Sequence, residues 1–112
     1  MDRNLLGGST VLLLLSLLGE GDRYGYEIIR ELASRSENVF CMKEGSLYPV
    51  LHRMEAQGWV RAYEKEAENG KKRRYYSITP AGERQLRAEM EQWESFRCSV
   101  ERVIRGGAHA FS

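Results

Sequence analysis

At 112 residues the chain has room for one domain with a modest core, and a chain this short commonly borrows burial from a second copy of itself. Its formal net charge of +1 excludes the uniformly basic surface of a histone-like protein, so any nucleic-acid footprint must come from charge segregated within the fold. Two cysteines, Cys41 and Cys98, in no CxxC arrangement exclude a disulfide framework and suit a reducing cytoplasm.

The run Val11–Leu18 (VLLLLSLL) imitates a signal peptide. Its flank Met1-Asp2-Arg3-Asn4 carries no net side-chain charge, and Gly19-Glu20-Gly21-Asp22 offers no small-x-small cleavage site. The run is also well short of the ~20 residues that cross a bilayer. It is therefore expected to be a buried helix of a cytoplasmic protein, from about Ser9 to Leu18. Being apolar around nearly its whole circumference, it needs cover from two sides, the rest of the domain and a second subunit. Leu12 and Leu15 are its expected interface residues.

A second helix is predicted from Asp22, as N-cap, to about Ser36, with Tyr24, Ile28 and Leu32 recurring every four residues. Gly25 in its first turn lowers helix propensity, which close approach of another helix would explain. Asn38–Lys43 reads as a connector, extended around Val39-Phe40-Cys41.

The third helix is predicted over Ser46–Gln57, closed by Gly58. Pro49 is tolerated in a first turn, where no intrahelical N–H bond is lost. Leu47, Leu51 and Met54 share one face as a core stripe. The opposite face carries Gly45, Ser46, Pro49, His52, Arg53 and Ala56, with Tyr48 at its flank. Small residues near its start let a helix sink into a major groove, while Ser, Tyr, His and Arg offer hydrogen-bonding groups to bases or phosphates. An ordinary surface helix would show the same polarity; what favours DNA reading is the order of elements, because a basic hairpin comes next.

Trp59–Glu66 and Arg73–Ile78 alternate in the manner of strands around the turn residues Glu68-Asn69-Gly70. Tyr76 and Ile78 point to the core, and Tyr75 and Ser77 to the other side. Lys71, Lys72, Arg73 and Arg74 place four consecutive cations at the tip and return strand. A lone charge run is usually a solvated loop. Beside a candidate recognition helix, phosphate or minor-groove contact is the better account.

Thr79-Pro80 supplies N-cap and N1 of a fourth helix reaching about Arg105. Leu86, Met90, Trp93, Arg97, Val100 and Ile104 follow one another at intervals alternating four and three, an apolar seam of period 3.5 broken only by Arg97. Trp93 is either an interface anchor or, with Phe96 and Met90, a stacking surface for a flat apolar effector. Gly106–Ser112 shows no periodicity and reads as a disordered tail. His52, His109, Cys41 and Cys98 have no metal-ligand spacing, no cofactor is expected, and no catalytic constellation is visible.

The sequence resembles the PadR family of winged-helix transcriptional regulators, in the short form with a single C-terminal helix. The motifs that carry this are Tyr24-Gly25-Tyr26-Glu27-Ile28, Gly45-Ser46-Leu47-Tyr48-Pro49-Val50-Leu51, His52-Arg53-Met54-Glu55 with Gly58, and Arg74-Tyr75-Tyr76-Ser77-Ile78-Thr79 with Gly82. The resemblance implies a homodimer, usually a repressor, with a recognition helix in each major groove and wings on the flanking backbone. It transfers DNA contacts to Ser46, Tyr48 and Pro49, and further to Arg53 and Lys71–Arg74. The wing departs from the commonest pattern, having Lys and Arg where many members have Gly-Arg-Pro or similar.

The expected fold is mainly α with a small β-hairpin: a winged helix-turn-helix over residues 1–78, a dimerisation helix over 79–105, and a disordered tail over 106–112. The expected function is sequence-specific binding of a palindromic operator in double-stranded DNA by a homodimer, with release by a small planar hydrophobic effector. The rival is a winged-helix protein–protein adaptor that never touches DNA and has no need of four wing cations.

Overall fold

The computed structural model of the chain describes residues 8–109. The flank Met1–Asn4 and the last three residues of the expected tail lie outside that range. In chain order the elements are α1 (Thr10–Gly19), β1 (Arg23–Tyr24), α2 (Gly25–Arg35), α3 (Glu44–Ala56), β2 (Val60–Glu66), β3 (Lys72–Ile78) and α4 (Pro80–His109). The strands form one antiparallel sheet in the order β1-β3-β2. One face of it closes over a core of leucines from α1, Ile28 and Leu32 of α2, Leu47, Leu51 and Met54 of α3, and Val60 and Tyr76 of the sheet.

The leucine run of α1 is the centre of that core. Leu14, Leu15, Leu17 and Leu18 are buried within the subunit, and Leu15 is 0% exposed. Leu15 therefore has no surface to give a partner, contrary to expectation; Leu12 stays partly exposed. Leu86 of α4 is likewise turned inward: a Cβ built on Gly19 would lie 3.3 Å from Leu86 Cδ2, and Leu86 packs on the core of its own subunit. The end of α1 is clasped to α2 by Glu20, whose carboxylate meets Arg35 at 2.6 Å and Arg23 at 3.0 Å. Arg35 first, with help from Arg23, holds the Glu20 carboxyl down at about 2, so it is ionised at any working pH.

The second helix begins later than the sequence suggested. Arg23 and Tyr24 pair with Tyr76 and Tyr75 of β3, adding a third strand that no periodicity announced. Tyr24 precedes the helix, and its N–H donates to Glu27 Oε1 at 3.1 Å, a first-turn carboxylate capping an otherwise free donor. Asp22 does not cap the helix; it accepts the Tyr63 hydroxyl of β2 at 2.5 Å. The chain turns after α2, where Glu37 and Asn38 take positive φ of 53° and 67°, and bends again at Val39 and Phe40, where an extended connector was expected.

The third helix starts at Glu44, two residues before the expected Ser46, and ends as foreseen. Gly58 adopts φ 79°, its N–H donates to the Glu55 carbonyl at 2.9 Å, and the Trp59 N–H donates to Met54 at 3.0 Å. This double closure ends a helix with a left-handed residue. The chain leaves it directly into β2.

The base of the hairpin is locked to α4 by Thr79. Its hydroxyl donates to the Gly58 carbonyl at 2.6 Å and accepts the Gly82 N–H at 3.0 Å, while its own N–H donates to Trp59 O at 3.0 Å. Gly82 is buried against this junction. From Pro80 the helix continues to His109, past Arg105, so residues 106–109 of the expected tail are helical. Thirty residues at 1.5 Å each make α4 about 45 Å long, the main contributor to a molecule 62 Å in its longest dimension.

Candidate nucleic-acid interface

Burial of Leu47, Leu51 and Met54 on one side of α3 leaves the opposite side to solvent. Gly45, Ser46, Pro49, His52, Arg53 and Ala56 are all exposed there. Gly45 and Ser46 at the helix start keep the surface low, and the Ser46 and Leu47 N–H groups both donate to the Lys43 carbonyl, at 3.0 and 2.9 Å. Tyr48 departs from the expected grouping. Its phenol turns toward the start of α2, where a Cβ on Gly25 would overlap the Tyr48 hydroxyl and lie 2.9 Å from Cζ. Burial, and then the nearby Glu44 carboxylate, push the Tyr48 phenol up from its ordinary value. Gly25 thus accommodates a side chain of another helix, and Tyr48 braces α3 against α2.

The wing rises beside α3. Its register is Val60↔Ile78, Arg61↔Ser77, Ala62↔Tyr76, Tyr63↔Tyr75, Glu64↔Arg74, Lys65↔Arg73 and Glu66↔Lys72. Paired residues share a face, so the face that buries Val60 and Tyr76 also carries Glu64, Glu66, Lys72 and Arg74. Arg74 reaches back to α3 and meets Glu55 at 3.5 Å, passing over the Tyr76 ring at 5.9 Å from its centroid. The Tyr76 hydroxyl itself is buried and has no hydrogen bond of good geometry. The opposite face carries Arg61, Tyr63, Lys65, Arg73, Tyr75 and Ser77. There Tyr63 stacks on Tyr75 at 5.8 Å, and Tyr24 meets Tyr75 edge-on at 5.4 Å. Arg73 lies over Tyr24 at 4.5 Å and Lys65 over Tyr75 at 5.3 Å. Lys71 is exposed at the turn, where its N–H donates to Asn69 Oδ1 at 3.1 Å and Gly70 takes φ 82°. The four consecutive cations therefore do not form one patch.

A helix that exposes a low polar face, followed by a wing with cations at its tip, is a shape suited to a duplex. The model of the PadR-like transcriptional regulator family matches residues 14–88, which runs from α1 through the wing into α4. The chain belongs to the PadR-like family of transcriptional regulators. It is 31% identical over 96 residues to the transcriptional regulator Rv3488 of Mycobacterium tuberculosis, covering 86% of this chain and 83% of that protein. Among solved structures it resembles a transcriptional regulator of Clostridium thermocellum with a TM-score of 0.80 at 33% identity, covering 88% and 96% of the two chains. A PadR-like regulator of Bacillus cereus matches with a TM-score of 0.80 at 29% identity, covering 90% and 96%. These relatives are regulators of transcription and not enzymes, in agreement with the winged-helix reading of the sequence.

The PadR-like chain has a second notable surface on α4. Met90, Trp93, Phe96, Val100, Val103 and Ile104 are exposed large apolar side chains, and at 100° per residue they span an arc of roughly 140°. Val103, 79% exposed, was missed because it lies one position off the strict 3.5 period. Arg97, within the same arc, is held along the helix by Glu94 and Glu101, each at 2.7 Å. Trp93 and Phe96, with ring centroids 6.2 Å apart, line a cavity of about 360 Å³ together with Gly8, Ser9, Leu12, Glu89 and Gln92. Met90 lies one turn before Trp93 on the exposed stripe, outside the cavity lining. Among the described residues no group of three or more His, Cys, Asp or Glu could hold a metal, and no helix is long and apolar enough to cross a membrane.

Proposed function

We propose that this regulator is a cytoplasmic homodimeric repressor that binds a palindromic operator. The observation that carries the reading is the exposed low face of α3, Ser46–Pro49–His52–Arg53, tied through Glu55 and Arg74 to the wing. Dimerisation is supported by the unpartnered stripe on α4, which one subunit alone leaves in water. A two-fold dimer sets its reading helices about one duplex turn, ~34 Å, apart, hence a palindromic site.

Ser46, Pro49 and Arg53 reach the groove in this reading, with His52 beside them and the wing on the flanking phosphates. Competition binding with fragments of the source genome tests it. The wild type should bind one fragment well above random duplex, with affinity falling steeply as salt rises. Arg53→Ala should reduce the preference for that fragment about tenfold, the worth of one good base contact, while changing random-duplex binding far less. Absence of any duplex binding at low salt would instead favour the adaptor.

The cavity beside Trp93 and Phe96 supports a second element, release by a small planar hydrophobic effector. Titrating a panel of such compounds should quench tryptophan fluorescence in the wild type. Trp93→Ala, with Trp59 kept, should abolish the response; a response that persists would remove Trp93 from the site.

A further inference from the structure

The strand register sorts the wing's charges in a way that their order along the chain conceals. On the face turned toward α3, Lys72 stands opposite Glu66, Arg74 stands opposite Glu64, and Arg74 also meets Glu55 at 3.5 Å. At the strand positions of that face two cations stand against two carboxylates, a formal charge of zero, and Glu55 of α3 brings a third carboxylate to Arg74. Cations that face carboxylates across the strands have less to offer a phosphate, and releasing Arg74 would break its contact with Glu55 of the recognition helix.

The opposite face is built differently. Arg61, Lys65 and Arg73 lie on it with no acidic residue at any paired strand position, a formal +3. Lys65 and Arg73 are direct cross-strand partners, an arrangement of like charges that costs a sheet stability. Each is steadied by an aromatic ring, Lys65 by Tyr75 and Arg73 by Tyr24, in a cluster that Tyr63 completes by stacking on Tyr75. A ring beneath a cation orders the side chain while leaving its N–H donors free. The nearby carboxylates Asp22 and Glu27 keep their charge, and the bonds they accept come from neutral donors, the Tyr63 hydroxyl and the Tyr24 N–H. Glu68 in the turn lines the same hollow as Arg73 and Tyr24. Two ordered cations held side by side against their repulsion form a site that an external row of anions would relieve.

We infer that the wing grips the DNA backbone with its outer face, through Lys65 and Arg73 with Arg61 behind them, while Arg74 ties the wing to α3 through Glu55 and Lys72 stays opposite Glu66 on the inner face. The ligand is the phosphate row of a duplex, so the inference rests on the DNA-binding reading above. Lys65 becomes a contact residue outside the run of four, and Arg74 a positioning residue.

Salt-dependent binding of the full chain to duplex DNA separates the two faces. Each phosphate contact contributes about 0.9 to the slope of log Kobs against log salt. Lys65→Gln with Arg73→Gln should flatten the slope by about 1.8 for each bound wing. Lys72→Gln with Arg74→Gln should weaken operator binding while keeping the wild-type slope. Equal flattening by both pairs, or flattening by the inner pair alone, overturns the inference and leaves DNA binding standing. A wild type that binds no duplex overturns both. Circular dichroism checks the fold of each double variant; if the outer one is misfolded, Lys65→Gln alone, at an exposed position, should flatten the slope by about 0.9 per wing, and an unchanged slope refutes the assignment.

Discussion

Replacing Gly82 by alanine is expected to destabilise the domain by about 3 kcal/mol and to lower its Tm by on the order of 10 °C. A Cβ there would overlap the Trp59 carbonyl oxygen and lie 2.8 Å from Ile78 Cγ1 and 2.9 Å from the Trp59 carbonyl carbon. The obstacle is largely backbone, so no rotamer change relieves it. Either α4 retreats from the hairpin, or the Thr79 bonds to Gly58 and Gly82 are broken. Gly106→Ala is the control, because a Cβ on that helical glycine meets nothing within 4 Å. It should be neutral or stabilising by up to ~1 kcal/mol. Thermal melts of the two variants check this; a Gly82→Ala protein melting within about 2 °C of wild type would contradict the junction described.

The second large effect is expected at the α4 stripe. Phe96→Asp with Ile104→Asp should convert a dimer to monomers, weakening association about 1000-fold, equivalent to ~4 kcal/mol. Burying each of these side chains is worth about 2 kcal/mol, and the introduced carboxylates would resist burial as well. At 62% and 66% exposure within the subunit, both positions can be changed without disturbing its core. The variant should keep its helical circular dichroism and sediment as a monomer, with operator affinity falling about 100-fold because two reading helices no longer bind as one unit. Unchanged sedimentation would remove the stripe from the interface. The two experiments are independent, since one disrupts the subunit and the other only its pairing.

Much of this arrangement was legible in residue order. The four-residue and three-residue spacing of Leu47, Leu51 and Met54 marked the buried side of α3, and Gly58 marked its end. Thr79-Pro80 announced the start of α4, and alternation through Tyr76 and Ile78 gave the core face of β3. What escaped was decided by contacts distant in sequence. Tyr24 lies four residues before Ile28 and so read as helical, but its pairing with Tyr75 makes it strand. Leu12 and Leu15 could not be told apart because a run of leucines has no polar side to mark the outside. The packing of Tyr48 against Gly25 was hidden because the two lie on different helices, twenty-three positions apart. Lys71–Arg74 read as a single block because sequence conceals that a strand sends alternate side chains to opposite faces.

The continuity of α4 has a mechanical consequence. One unbroken helix joins the Thr79 junction, and through it the wing and the end of α3, to the stripe around Trp93. From Trp93 back to Thr79 is about 21 Å of helix. A tilt of roughly 10° about Trp93 therefore carries the base of the wing some 4 Å, close to the ~3.4 Å rise of one base-pair step. Such a helix is a lever: a small displacement around Trp93 would be carried to the wing and the end of α3 without melting a single element.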